Sequence, residues 1–142
     1  MQDLFNDIWD AIVEKIQDTI DGGNSRISKV YQDYREDIEG YPAVCVIPSE
    51  NESDYNSTTD DKVNFVYKLV IYYPLPKEGE ISDSGKALGR ALGEMLQLFK
   101  ARNSLGSACD WVFPAPSSWG FEQRGETTFR TAEVTLRCRK MV

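Results

Sequence analysis

The sequence predicts an α+β fold: a mixed, mainly antiparallel β-sheet packed with two amphipathic helices and carrying an extended acidic loop. Three observations predict it. Leu4, Ile8, Ile12, Ile16 and Ile20 repeat every four residues, and Leu88, Ala91, Leu92, Met95, Leu96 and Phe99 form a second stripe of helical period. Val63, Phe65, Tyr67, Leu69, Ile71 and Tyr73 alternate with their neighbours, which is the period of a strand. A polar acidic run from Ser49 to Asp61 separates that segment from an apolar one before it. No internal repeat or linker splits the chain, and a length of 142 residues fits one domain over 1–142.

The first helix carries Phe5, Trp9 and Val13 beside its stripe, with Asp3, Asp7, Asp10, Glu14, Lys15 and Asp18 on the remaining positions. Early acids suit the positive end of the helix dipole. Asp21-Gly22-Gly23-Asn24 ends it, because glycine tolerates the left-handed C-terminal position. Ile27, Val30, Tyr31, Tyr34 and Ile38 fit a short helix, although residues 27–39 are ambiguous. Then comes Gly40-Tyr41-Pro42-Ala43-Val44-Cys45-Val46-Ile47-Pro48. Pro42 lacks an N–H and suits the opening of a strand, and Pro48 stops it. The alternating segment Lys62–Tyr73 would be roughly 40 Å long at ~3.3 Å per residue.

The Gly-Tyr-Pro-Ala-Val opening, the Pro-Ser-Glu-Asn-Glu continuation at 48–52 and a strand after a Tyr- and Thr-containing polar loop resemble the tail terminator (tail completion) proteins of long-tailed bacteriophages. The order of elements, helix then strands then helix then strands, is similar too. The resemblance covers most of the chain as a pattern of elements, and about a dozen residues near 40–55 as a motif. It implies a short strand near Ile27–Tyr31. It also implies a non-enzymatic homohexameric ring that stops tail-tube growth and offers its other face to a head-completion or neck protein. Such a ring has no cofactor and lets DNA pass without specific binding. It works at the tail–neck junction of a virion assembled in the host cytoplasm.

After Pro74-Leu75-Pro76 the second helix begins, with Ser82, Asp83 or Ser84 as its cap and Asn103 to Gly106 as its end. Gly85, Gly89 and Gly93 recur every four residues within it. A glycine inside a helix costs roughly 1 kcal/mol against alanine, so three of them need a reason. Close packing on the helix's own sheet is one reason, and a smooth ridge for a neighbouring subunit is the other. The last third reads as β. Cys109 to Phe113 is a short strand, Pro114 to Gly120 a turn-rich loop, and Phe121–Arg124 pairs with Thr127–Arg139 across Gly125-Glu126. Ala132, Val134, Leu136 and Cys138 face the core, while Thr131, Glu133, Thr135, Arg137 and Arg139 face outward.

Composition narrows the function. This sequence contains no histidine, which removes Ser-His and Cys-His nucleophilic pairs and histidine metal sites. It also lacks a glycine-rich phosphate loop: Gly85-Lys86-Ala87 has neither the upstream glycine nor the following Ser or Thr. Cys45, Cys109 and Cys138 are widely spaced in apolar segments and read as reduced, buried thiols, consistent with folding in the cytosol. No apolar stretch approaches ~18 residues, so no membrane helix is expected. Glu50, Glu52, Asp54, Asn56 and Asp61 have the alternate spacing of a calcium loop, but Tyr55 stands where the turn needs glycine. A solvated arm is the simpler reading. Trp111, Trp119, Phe121 and Phe129 read as core and loop packing rather than as a base-stacking surface.

The formal net charge of −7 is unevenly spread. Residues 1–61 hold 15 acids and 4 bases, whereas residues 62–142 hold 8 acids and 12 bases. That split suits either a solvated acidic helix and loop beside a mildly basic sheet, or two opposed faces that meet between copies. The candidate assembly contacts are therefore Glu50, Glu52, Asp54, Tyr55, Asp60 and Asp61 of the arm, Gly85, Gly89 and Gly93 of the helix, Trp119 of the loop, and Arg137 and Arg139 of the last strand. Other neck proteins, adaptor or stopper, share these features. A small carboxylate- or Ser-Lys-based hydrolase is the reading from another class.

Overall fold

The computed structural model describes residues 4–35, 37–49, 62–75, 81–101 and 104–141. Its elements are α1 (Leu4–Asp21), β1 (Lys29–Gln32), β2 (Ala43–Pro48), β3 (Lys62–Pro74), α2 (Ile81–Leu98), a short 3-10 turn at Gly106–Ala108, β4 (Trp111–Arg124) and β5 (Thr127–Met141). The strands form one sheet in the order β1-β2-β3-β5-β4. Among the described residues only β1 and β2 pair in parallel; the other pairs are antiparallel. This is the mixed, mainly antiparallel α+β fold that the periodicities predict.

Both helices lie on one face of the sheet. Ile8, Ile12 and Ile16 of α1 and Leu88, Ala91 and Met95 of α2 are fully buried in one cluster with Tyr67, Leu69, Ala132, Val134 and Leu136. Hydrogen bonds fasten α1 to the sheet: Trp9 Nε1 donates to Val46 O at 2.9 Å, the buried Tyr67 hydroxyl donates to Phe5 O at 2.6 Å, and Gln32 Nε2 of β1 donates to Asp10 Oδ1 at 2.7 Å. Gly22 N and Gly23 N close the end of α1 on Asp18 O and Ile20 O, with Gly23 at φ +84°.

The opposite face is also covered. The 33–42 segment carries the chain from β1 to the parallel β2. It places Ile38 against Tyr31, Cys45, Val70, Tyr72 and Phe129. The Tyr41 ring lies 5.6 Å from that of Phe129. β3 is therefore buried on both sides over its second half, where the run Val70-Ile71-Tyr72 ceases to alternate in polarity. The single apolar face read from the sequence is half of the arrangement. All three cysteines are free and buried.

Several boundaries differ from the sequence reading. The strand before Gly40 runs from Lys29 to Gln32, two residues later than expected at its start. Helix α2 begins at Ile81, so Ser82, Asp83 and Ser84 lie inside its first turn and do not precede it. It ends at Leu98, before the Asn103–Gly106 segment, with Phe99 buried just beyond. The largest difference is β4. Pro114 to Gly120 is not a loop but the middle of a continuous strand paired with β5 from Trp111↔Arg139 to Arg124↔Thr127. β4 is an edge strand, so Pro114 and Pro116 can turn their missing donors to the unpaired side. Thr135, read as outward, lies on the outward face and is nonetheless buried.

Candidate functional site

A register shift between Pro116 and Ser118 governs what β4 displays. Before the shift, Val112 pairs with Cys138 on the helix side and joins the core, so Trp111 and Phe113 point to the opposite face. The shift adds one residue to β4. After it, Trp119 pairs with Ala132 and Phe121 with Arg130, so both aromatic rings turn to the helix side. They are 48% and 64% exposed, although the sequence reading assigned them to packing. Phe129 alone of that set is buried as a core residue.

Trp119 and Phe121 hold an arginine. The Arg130 guanidinium lies over both rings, 5.8 Å from the Trp119 centroid and 5.6 Å from that of Phe121. Its other neighbour is α2. A Cβ added at Gly85 would lie 2.8 Å from Arg130 Nη1, so glycine here makes room for the arginine. Gly85 and Trp119, selected from the sequence as separate contacts, thus flank one side chain. The pairing of β4 with β5, distant from α2 in sequence, is what brings Arg130 between Gly85 and Trp119.

The other two glycines are different. Nothing lies within 4 Å of a Cβ built at Gly89 or at Gly93. A four-residue spacing drifts by about 40° per step around a helix, so the stripe winds from the sheet flank toward the outer side. Close packing of the whole ridge on its own sheet is therefore wrong. It holds at Gly85 alone.

On the opposite face, Arg139 lies over Trp111 at 5.6 Å and its Nε donates to Asn64 Oδ1 at 3.1 Å. Trp111 meets Phe113 edge-on at 5.4 Å, and Phe113 pairs in register with the exposed Arg137. Arg137 and Arg139 therefore sit on the far side of the sheet from Gly85 and Trp119. Glu50, Glu52, Asp54, Tyr55, Asp60 and Asp61 lie outside the described residues.

A third cluster locks the hairpin end. Arg124 Nε meets Glu122 Oε2 at 3.1 Å, its Nη2 donates to the Tyr72 hydroxyl at 2.9 Å, and its Nη1 donates to Arg35 O. Its guanidinium stacks on Tyr34 at 4.2 Å and Tyr72 at 4.6 Å. An open cleft of about 380 Å³ lies beside it, lined by Tyr34, Asp37, Gln123, Arg124 and Gly125. Burial pushes the Tyr72 hydroxyl above its ordinary range, and the facing Arg124 only partly offsets this. Burial likewise raises the Cys45 thiol. A hydrogen bond from the Cys138 thiol to the Cys109 sulfur lowers Cys109 and, together with burial, raises Cys138.

Guanidinium forks held on aromatic faces suit carboxylates and planar groups. Among the described residues no group of three or more His, Cys, Asp or Glu could hold a metal ion, and no helix is long and apolar enough to cross a membrane. No protein-family model matches the chain, and no curated protein matches it significantly.

Proposed function

We propose that this chain is a structural virion protein, a ring-forming tail terminator that caps the tail tube and forms the head-facing end of a phage tail. The observation that carries this reading is the Gly40–Glu52 segment and its resemblance. Its setting supports it: α1, then β1 to β3, then α2, then β4 and β5, the element order that the resemblance implies. In this reading the chain meets itself, the tail-tube protein and a head-completion or neck protein, and DNA passes unbound. It acts by surface complementarity and makes or breaks no bonds. Its place is the tail–neck junction, after assembly in the host cytoplasm.

Charge placement adds support. Asp7, Glu14 and Asp18 are exposed on α1 and their side chains make no hydrogen bond or ion pair among the described residues, and the same holds for Arg137 on β5. Within the described residues the one ion pair is Arg124–Glu122. Acids and bases left unpaired in one copy are free to pair between copies.

The test is electron microscopy of tails assembled with and without the protein. With it, tails end at a fixed length under a ring at the head-proximal tip; without it, tubes overgrow. Normal tails beside heads that carry the protein at their vertex would instead identify an adaptor or stopper. Binding to neither tails nor heads would reject both.

A further inference from the structure

We infer that the Arg130 platform is a docking site for carboxylates of α1 from a second copy of this chain; the inference deepens the ring reading and rests on it. Arg130 is half-buried between Gly85 and the rings of Trp119 and Phe121, and makes no hydrogen bond or ion pair among the described residues. A guanidinium seated over aromatic faces is partly positioned already, so less freedom is lost when a carboxylate accepts from two of its N–H groups. Two exposed aromatic rings beside it supply the apolar anchor typical of the centre of an interface.

Charge selects the occupant. Glu14 and Asp18 lie four residues apart on the exposed side of α1, with Asp7 and Asp21 on the same outer surface. Like charges at this spacing destabilise a helix, and the last turn of α1 holds no base to offset its negative end. The stripe is thus unfavourable within one copy and complementary to Arg130 of another. Open space at Gly89 and Gly93 lets a helix approach α2 where the stripe winds from the sheet flank toward its outer side. Each copy offers an acidic helix on one side and Arg130 on another, so the contact is heterologous and can repeat around a ring.

Three chains test this by light scattering over a concentration series, with thermal melts as the control for folding. They are wild type, Arg130→Glu, and Arg130→Glu combined with Glu14→Arg and Asp18→Arg. Arg130→Glu should weaken association by roughly 100-fold, as removal of a desolvated charge pair does. The combined variant should recover most of that loss, which no merely structural role of Arg130 would produce. Arg130→Lys keeps the charge but not the fork and should fall between. If wild type assembles and Arg130→Glu assembles equally well, the docking is overturned and the ring stands. A fully folded combined variant that recovers nothing also overturns α1 as the occupant. A wild type that stays monomeric throughout overturns the docking together with autonomous assembly.

Discussion

At the scale of single residues, the polar side chains near the sheet divide into those that hold this chain together and those that do not. Arg124 belongs to the first kind. It ties the β4–β5 turn to Arg35 and Tyr72. Tyr72 is held neutral chiefly by burial, so its acidity is lower in the fold than its ordinary value of 10.0. A group whose folded pKa is raised contributes fully below its unfolded pKa and is lost as pH rises toward the folded one. Tyr72→Phe should therefore lower stability by about 1 kcal/mol at neutral pH, through the lost hydrogen bond. It should also flatten the fall in stability above about pH 10. Some alkaline slope remains, because Cys45 and Cys138 are raised too. Denaturant midpoints across an alkaline series check both effects. Gly89 on α2 is a contrasting case, since nothing lies within 4 Å of a Cβ built there. Leucine there meets open space, so the isolated chain should gain up to about 1 kcal/mol from helix propensity. Association should weaken if a neighbour covers the stripe; melts and light scattering on one sample read the two effects separately.

Elements show where sequence reasoning succeeds and where it stops. α1, α2, β3 and β5 were legible because each carries its apolar period within itself, as Ile8, Ile12 and Ile16 or Ala132, Val134 and Leu136 illustrate. β4 was not. Its centre, Pro114 to Gly120, has the residues of a turn and becomes a strand only through pairing with β5, which local pattern does not reveal. The bulge that turns Trp119 toward Arg130 is equally invisible, because it depends on register against a distant strand. The second buried face failed for a related reason: Ile38 covers it from a segment of ambiguous period. Of the candidate site, Trp119 and Gly85 were found, but the arginine between them was not. The helix stripe leads to its own prediction. Asp18→Lys removes a repulsion and places a cation in the last turn of α1, so it should stabilise the isolated chain by about 0.3–1 kcal/mol. The same change should weaken association. A variant more stable and equally able to assemble would show that the α1 acids are a solvated face.

For the whole molecule, the ring proposal predicts that the acids of α1 and the arginines of β5, which form no ion pair among the described residues, meet their counterparts in another copy. The acidic lumen of such a ring would let DNA pass by repulsion rather than grip it. Rim charges are screened beyond about 8 Å at physiological salt, so an interface that uses them loosens as salt rises. Light scattering of the purified protein across concentration and salt tests this most directly. The expected result is one closed species of six copies of 16.1 kDa, about 97 kDa, that dissociates progressively at high salt. A monomer at every concentration and salt, which also fails to bind tails, would contradict it.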